Sequence, residues 1–165
     1  VKMKAEWLKI ISDALGVEPI LINSADFSAQ SRSRYYWTNI PIMPWESGGG
    51  PTLSSILEEN DNYLKESTIA RLRASRTGGR LITADKPKAA TIIAGYGKMP
   101  SDQEYLITSN GVRPFTPIEF ERLQGLPDNY TAGLSKTQRY RCVGNSWNLP
   151  TIIHILRGLP YAQKM

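Results

Sequence analysis

Hydrophobic and polar residues follow a helical period at the start of the chain. Within Lys4–Leu15 the apolar positions Leu8, Ile11 and Leu15 share one face, and Gly16 supplies a stop, which predicts a helix. The next apolar run, Pro19–Asn23 (PILIN), predicts a short buried strand. A helix that leads through a tight turn into a buried strand is an α/β signature. A polar, arginine-bearing stretch follows (Ser28–Arg34), then an aromatic cluster of Tyr35, Tyr36 and Trp37.

From Pro41 to Pro51 the pattern gives way to Pro, Gly and Ser, which predicts a linker leaving the α/β core. It lacks the Lys-Ser/Thr pair of a phosphate-binding loop. Between Pro51 and Gly111 the runs are short. They predict helices near Leu53–Glu59 and Thr68–Ser75, and strands near Leu81–Thr83, Ala90–Ala94 and Glu104–Thr108, together a small inserted module. Helical spacing returns after Phe115. Thr116-Pro117-Ile118-Glu119 places a capping Thr, a Pro at the first helical position and a Glu three residues past the cap, and Gly125 closes the helix. A further helix is expected over Lys136–Cys142 behind Ser135. A last one is expected after Asn148, with Leu149, Ile152, Ile153 and Leu156 as its apolar face. The expected division is 1–45 for core, 46–112 for the module and 113–165 for the closing helices.

Composition narrows the classes. The 165 residues are 41% hydrophobic and 21% charged, ordinary for one globular unit. No apolar run is long enough to span a bilayer, the polar start VKMKAEWLKI does not resemble a signal peptide, and a cytoplasmic setting is expected. One Cys (Cys142) and one His (His154) cannot build a zinc cluster of the usual kind, so no metal site is expected. Cys142 is expected to be a small buried packing residue.

The net charge of +5 is unevenly spread. Residues 71–98 hold Arg71, Arg73, Arg76, Arg80, Lys86, Lys88 and Lys98 against Asp85 alone, whereas residues 41–70 hold five acids against Lys65. A basic segment of this kind suits a polyanion, because each phosphate contact releases counterions. A merely solvated charged face is the alternative.

Three segments carry chemistry. In Gln30-Ser31-Arg32-Ser33-Arg34, alternate arginines of an extended segment point to one side, and guanidinium forks suit phosphate oxygens or a pyrimidine carbonyl. The run from Arg113 to Asp128 contains the capped helix, and Gly144-Asn145-Ser146-Trp147 reads as a tight turn before the final helix. In this order and at these intervals, the three resemble the eighth, ninth and tenth conserved blocks of the DNA cytosine-5 methyltransferases. The phrase GVEPILINSADFSAQSRSRYYWTNIP is similar in style to phage-borne and animal de novo members.

The resemblance implies the carboxy-terminal part of a Rossmann-like, S-adenosylmethionine-dependent methyltransferase with a small mixed target-recognition module. By the same resemblance, Arg34 holds the flipped cytosine through its ring carbonyl, and Arg32 supports the active-site loop or a phosphate. Asn145 and Ser146, with Trp147 beside them, line the pocket for S-adenosylmethionine, and Leu126 lies near it. Arg113, Thr116, Glu119 and Arg122 form a polar framework. Gln30, Arg76, Arg80, Lys86, Lys88 and Lys98 are the expected contacts to double-stranded DNA, with target choice in loops around Arg76–Arg80 and Gly95–Met99.

Family members use a Cys of a Pro-Cys-Gln/Asn loop to attack cytosine C6, and a Glu of Glu-Asn-Val to hold the ring nitrogen. The base must first leave the duplex. Neither motif occurs in this sequence, and Val1-Lys2-Met3-Lys4 reads like the continuation of Glu-Asn-Val. The expectation is therefore a fragment or split half, inactive alone, whose partner is a complementary amino-terminal half supplying the thiol and carboxylate. The alternative is a catalytically dead methyltransferase-like module that binds DNA or a partner. Half of a parallel sheet is expected to leave open edges and an uncovered face.

Overall fold

The computed structural model describes residues 3–76 and 80–160, so residues 77–79 of the Arg76–Arg80 loop and residues 1–2 lie outside the described part. Helix α1 (Ala5–Leu15) ends at Gly16, whose left-handed φ of 68° lets its N–H return to Ser12 O. Strand β1 (Pro19–Asn23) pairs antiparallel with β2 (Ser33–Trp37), setting Ile22 opposite Arg34. The indole N–H of Trp37 donates to Ser12 Oγ at 3.1 Å and ties the hairpin to α1.

The amino-terminal elements depart from expectation in two ways. The strand pair is antiparallel rather than half of a parallel sheet, because the chain between β1 and β2 makes only a 3-10 turn (Ser24–Asp26) and an extended return. A parallel crossover needs a dozen or more residues. β1 is also less buried than a core strand: Ile22 is fully covered while Leu21 is 54% exposed. On α1, Trp7, Ile10 and Leu15 are likewise exposed, so this layer offers an apolar face to its surroundings.

The segment 41–51 is clamped rather than loose. The Asp26 carboxylate accepts from Trp45 Nε1, Ser47 Oγ and Gly48 N. Lys88 donates to the carbonyls of Ser28, Gly50 and Pro51. A Cβ at Gly50 would stand 2.7 Å from Ala25 O and Ser28 N, so only glycine permits this approach.

The module contains helix α2 (Glu66–Arg73) and a mixed sheet in which β4 (Glu104–Thr108) pairs parallel with β3 (Arg80–Ile82) and antiparallel with β5 (Gly111–Arg113). α2 buries Ile69 and Leu72, three residues apart, and turns Arg71 and Arg73 outward. Two expected elements are smaller than the sequence pattern suggests. Leu53–Glu59 forms only the 3-10 turn Ser54–Ile56. Ala90–Ala94 is no strand; a single parallel bridge joins Ala89 to Gln30 instead.

Helix α3 (Pro117–Leu123) starts with the expected capping box, Thr116 and Glu119 each bonding the other's backbone, and Gly125 takes a left-handed φ of 72°. Helix α4 (Lys136–Asn145) has its own box, Ser135 with Gln138, and continues three residues beyond the expected end. Helix α5 (Leu149–Leu156) is capped by Asn148. It buries Thr151, His154 and Ile155, while Ile153 and Leu156 are exposed. The apolar face expected from its sequence is thus rotated away from this chain's core.

One apolar core runs through all three segments, from Ala29 through Leu53, Leu72, Ile92 and Leu106 to Phe120 and Val143. Its centre is Tyr96, whose ring lies 4.5 Å from Phe120, 5.2 Å from Tyr140 and 5.7 Å from Tyr105. The buried hydroxyl of Tyr96 donates to Glu104 O and accepts from Phe115 N, satisfying its polarity inside the core. Arg113 and Glu119 form a buried two-pronged ion pair at 2.9 and 2.7 Å. Glu119 also accepts from Glu58 N and Thr116 N. Arg122 joins Asp128 and the Ile56 carbonyl. The expected polar framework of the ninth block is therefore built.

Candidate functional site

Arg34 is positioned by β2. Its register partner Ile22 is anchored in the interior, and its guanidinium donates to Ser33 O at 2.8 Å. Arg32 precedes the strand. Asn23 Oδ1 accepts from its backbone N–H at 2.9 Å, and its guanidinium reaches Ile92 O at 3.4 Å. Both line one cavity of about 470 Å³ together with Tyr36, Asn145, Trp147 and Asn148. That volume falls in the range of small-molecule sites.

Among the described residues no carboxylate lines this cavity. Burial, then the neighbouring Arg34 charge, pulls the Arg32 pKa below its ordinary value. An arginine nevertheless remains charged. Burial raises the Tyr36 phenol, and both arginines oppose that rise. Two guanidiniums without a counter-charge favour an anionic or carbonyl-bearing guest.

The opposite wall comes from the end of α4. Gly144 and Asn145 belong to its last turn, not to a separate tight turn, and Ser146 caps it. The Ser146 hydroxyl is spent on Val143 O at 2.7 Å. Trp147 is 73% exposed beside Asn145, an open aromatic plate next to an amide. Asn148 fixes this corner from within, donating to Ser28 Oγ and Leu123 O. The sequence marked Asn148 only as a helix cap, and Tyr36 only as part of an aromatic cluster. Both line the cavity. The signal for Tyr36 was its alternation with Arg34 along β2.

Several expected residues take other places. Gln30 is fully buried and donates to Leu123 O and Gln124 Oε1 while accepting from Ile92 N, so it is a structural hub rather than a DNA contact. Leu126 packs against the core and does not line the cavity. Lys86 pairs with the buried Glu104, and Lys88 spends its ammonium on three carbonyls. Both ammonium groups are engaged by partners within the protein, although neither side chain is fully buried. Cys142 is exposed on α4, not buried, and it does not line the arginine cavity.

Arg76, Arg80 and Lys98 remain exposed. Arg80 lines a shallow basic hollow of about 390 Å³ with Ser31, Lys86 and Lys88, which brings the module's charge to the eighth block. Among the described residues no His/Cys/Asp/Glu cluster could hold a metal, and no helix is long and apolar enough to cross a membrane.

The fold recurs in solved structures. The Entamoeba histolytica methyltransferase EhMeth superposes with a TM-score of 0.74 at 20% identity, covering 95% of this chain and 58% of that one. The S. pombe Dnmt2 methyltransferase gives 0.71 at 19%, covering 98% and 63%. The fold class is therefore that of the Rossmann-like methyltransferases, with a small mixed sheet beside the core. Residues 35–160 match the C-5 cytosine-specific DNA methylase family, and the chain belongs to that family. It is 30% identical over 171 residues to the type II methyltransferase M.HaeII of Haemophilus aegyptius, covering 87% of this chain and 52% of that protein. It is 27% identical over 174 residues to the DNA (cytosine-5)-methyltransferase DRM2 of Oryza sativa subsp. japonica, covering 94% and 29%. The chain thus spans about half, or less, of these relatives.

Proposed function

We propose that this chain is the DNA-recognising part of a DNA (cytosine-5-)methyltransferase, supplying one edge of the cytosine pocket and one wall of the cofactor site. The observation that carries the reading is the shared cavity, where Arg32 and Arg34 face Asn145 and Trp147 although more than a hundred residues separate them in sequence. Arg34 offers its fork to the ring carbonyl of an extruded cytosine, and Arg32 holds the neighbouring loop or a phosphate.

The residues suit S-adenosylmethionine in kind. An exposed indole beside an amide matches a purine face and its edge. Asn145 and Trp147 would hold the group, and when bound it supplies the methyl that is transferred. Ser146 would act through the backbone, since its hydroxyl caps α4. Arg76, Arg80 and Lys98 would follow the phosphates of double-stranded DNA.

The thiol and the carboxylate of the reaction come, in this reading, from a complementary amino-terminal half. Two observations support it: the only Cys of the sequence lies outside the arginine cavity, and α1 and β1 expose Trp7, Ile10, Leu15 and Leu21 as a face another chain segment could cover.

The test is transfer of radiolabelled methyl to duplex DNA by the chain alone and with an amino-terminal half of a related enzyme added. Transfer only in the mixture is expected. Turnover by the chain alone overturns the split of labour. Duplex binding without complementation favours a DNA-binding module that has lost catalysis.

A further inference from the structure

We infer that Lys98 and Arg141 form a seat for a DNA backbone phosphate, placing part of the DNA path on α4, outside the recognition module. The inference rests on the reading of this chain as DNA-binding and extends it to a residue with no role so far. A cavity of about 400 Å³ opens between the turn at Tyr96–Lys98 and α4, lined by Ala94, Gly95, Gly97, Lys98, Thr137 and Arg141. Thr137 and Arg141 lie one helical turn apart on the same face. No acidic side chain lines the cavity.

The two walls are held in place by close backbone packing. A Cβ at Gly144 would stand 2.3 Å from Ala94 N and 2.4 Å from Ile93 C, so glycine alone lets this segment lie on the helix. A Cβ at Gly97 would meet Tyr140 at 3.3 Å. The turn carrying Lys98 is fixed at both ends. Tyr96 is buried in the core, and the Met99 carbonyl accepts from Arg71 at 3.0 Å. Met99 itself has a φ of 52°, a left-handed conformation that costs a non-glycine residue energy. The neighbouring cations are spent elsewhere: Arg71 on Met99, and Arg139 on Glu121 and Thr131. The Lys98 ammonium and the Arg141 guanidinium have no hydrogen-bond or ion-pair partner among the described residues.

Two like charges beside one hollow call for an anion between them. A phosphodiester fits, with one charge and two free oxygens for the ammonium and guanidinium, and Thr137 Oγ1 available as a further donor. The seat also lies next to the base pocket in the chain. Ile92, which accepts from Arg32, leads into its Ala94 wall, and Arg141 precedes Asn145 by one helical turn. A phosphate held there would position the strand beside the extruded nucleotide.

The test is binding of the chain to a fluorescein-labelled duplex by anisotropy across a KCl series. Arg141→Gln is expected to weaken binding several-fold at low salt and to reduce the slope of log K against log[salt] by about 0.9, the value for one phosphate contact. Arg141→Lys should restore the slope, Lys98→Gln should repeat the loss, and Lys9→Gln, on α1, should leave it unchanged. If Arg141→Gln keeps the parent slope while Arg76→Gln and Arg80→Gln lower it, the seat is refuted and DNA binding stands. If the parent shows no salt-dependent duplex binding, the seat falls together with the DNA-binding reading.

Discussion

Gln30 and Gln124, 94 residues apart in sequence, meet amide to amide at 3.2 Å with both side chains fully buried. Gln124 passes the connection to Val143 O, and Gln30 accepts from Ile92 N. The eighth block, the ninth block, α4 and the module are thus joined by one satisfied amide network in a low-dielectric interior, where unpaired groups are costly.

Replacing Gln30 by Leu is therefore expected to destabilise the fold by about 2–3 kcal/mol, because Ile92 N and the Gln124 amide lose partners. Urea denaturation measures the loss. The slope of DNA affinity against salt should stay at the parent value, since the side chain does not reach the surface.

The lysines and arginines of the basic segment should separate into two classes. Arg80→Gln is expected to lower the salt slope by about 0.9 without moving the melting midpoint. Lys88→Met should do the reverse, lowering stability by about 1.5–3 kcal/mol as three carbonyls lose a charged donor. Parallel binding and melting curves distinguish them.

Arg34→Ala is expected to cut methyl transfer by the complemented enzyme at least about 100-fold, with duplex affinity changed little. Arg34→Lys should not recover the rate, because a point charge lacks the planar fork. Single-turnover transfer and anisotropy on the same samples make the comparison.

Acid should weaken the fold through Glu121. Burial alone would raise its carboxyl, but Thr131 and the Arg139 guanidinium outweigh burial and hold it below its usual 4.5. A carboxyl with a depressed folded pKa stabilises above the unfolded value, and that contribution disappears as pH falls through the folded one. Denaturation midpoints are therefore expected to drop below about pH 4.5. Glu121→Gln should be less stable at neutral pH and flatter across the acid range. Asp26 and Asp128 preserve part of the dependence: Asp26 is held low by donors that outweigh its burial, Asp128 by Arg122.

The sequence disclosed what local rules control. The Thr116–Glu119 box, the Ser135 cap and the αL glycines Gly16 and Gly125 signalled helix ends because their chemistry is confined to a few neighbouring residues. The three blocks disclosed the family. The burial of Gln30 and the internal bonding of Lys88 could not be read locally, because their partners lie between 37 and 94 residues away. Helix α5 misled for a related reason. Its sequence shows which side is apolar but not what covers it, and Ile153 and Leu156 of that side point outward. Arg141 went unmarked because α4 shows its cleft only when the 93–98 segment lies on Gly144.

The clamp at residues 41–51, with the Gln30–Ile92 and Lys88–Ser28 bonds, bears on how the segment 46–112 could be exchanged between such proteins. A graft of residues 46–112 from another family member would bring a new outer surface but also a new inner lining. Its success would depend on whether an amide N–H meets Gln30 and an ammonium meets the carbonyls of the 28–51 loops. Compatibility between donor and host is therefore written on the hidden side of this segment, and its outer side can diverge without disturbing it.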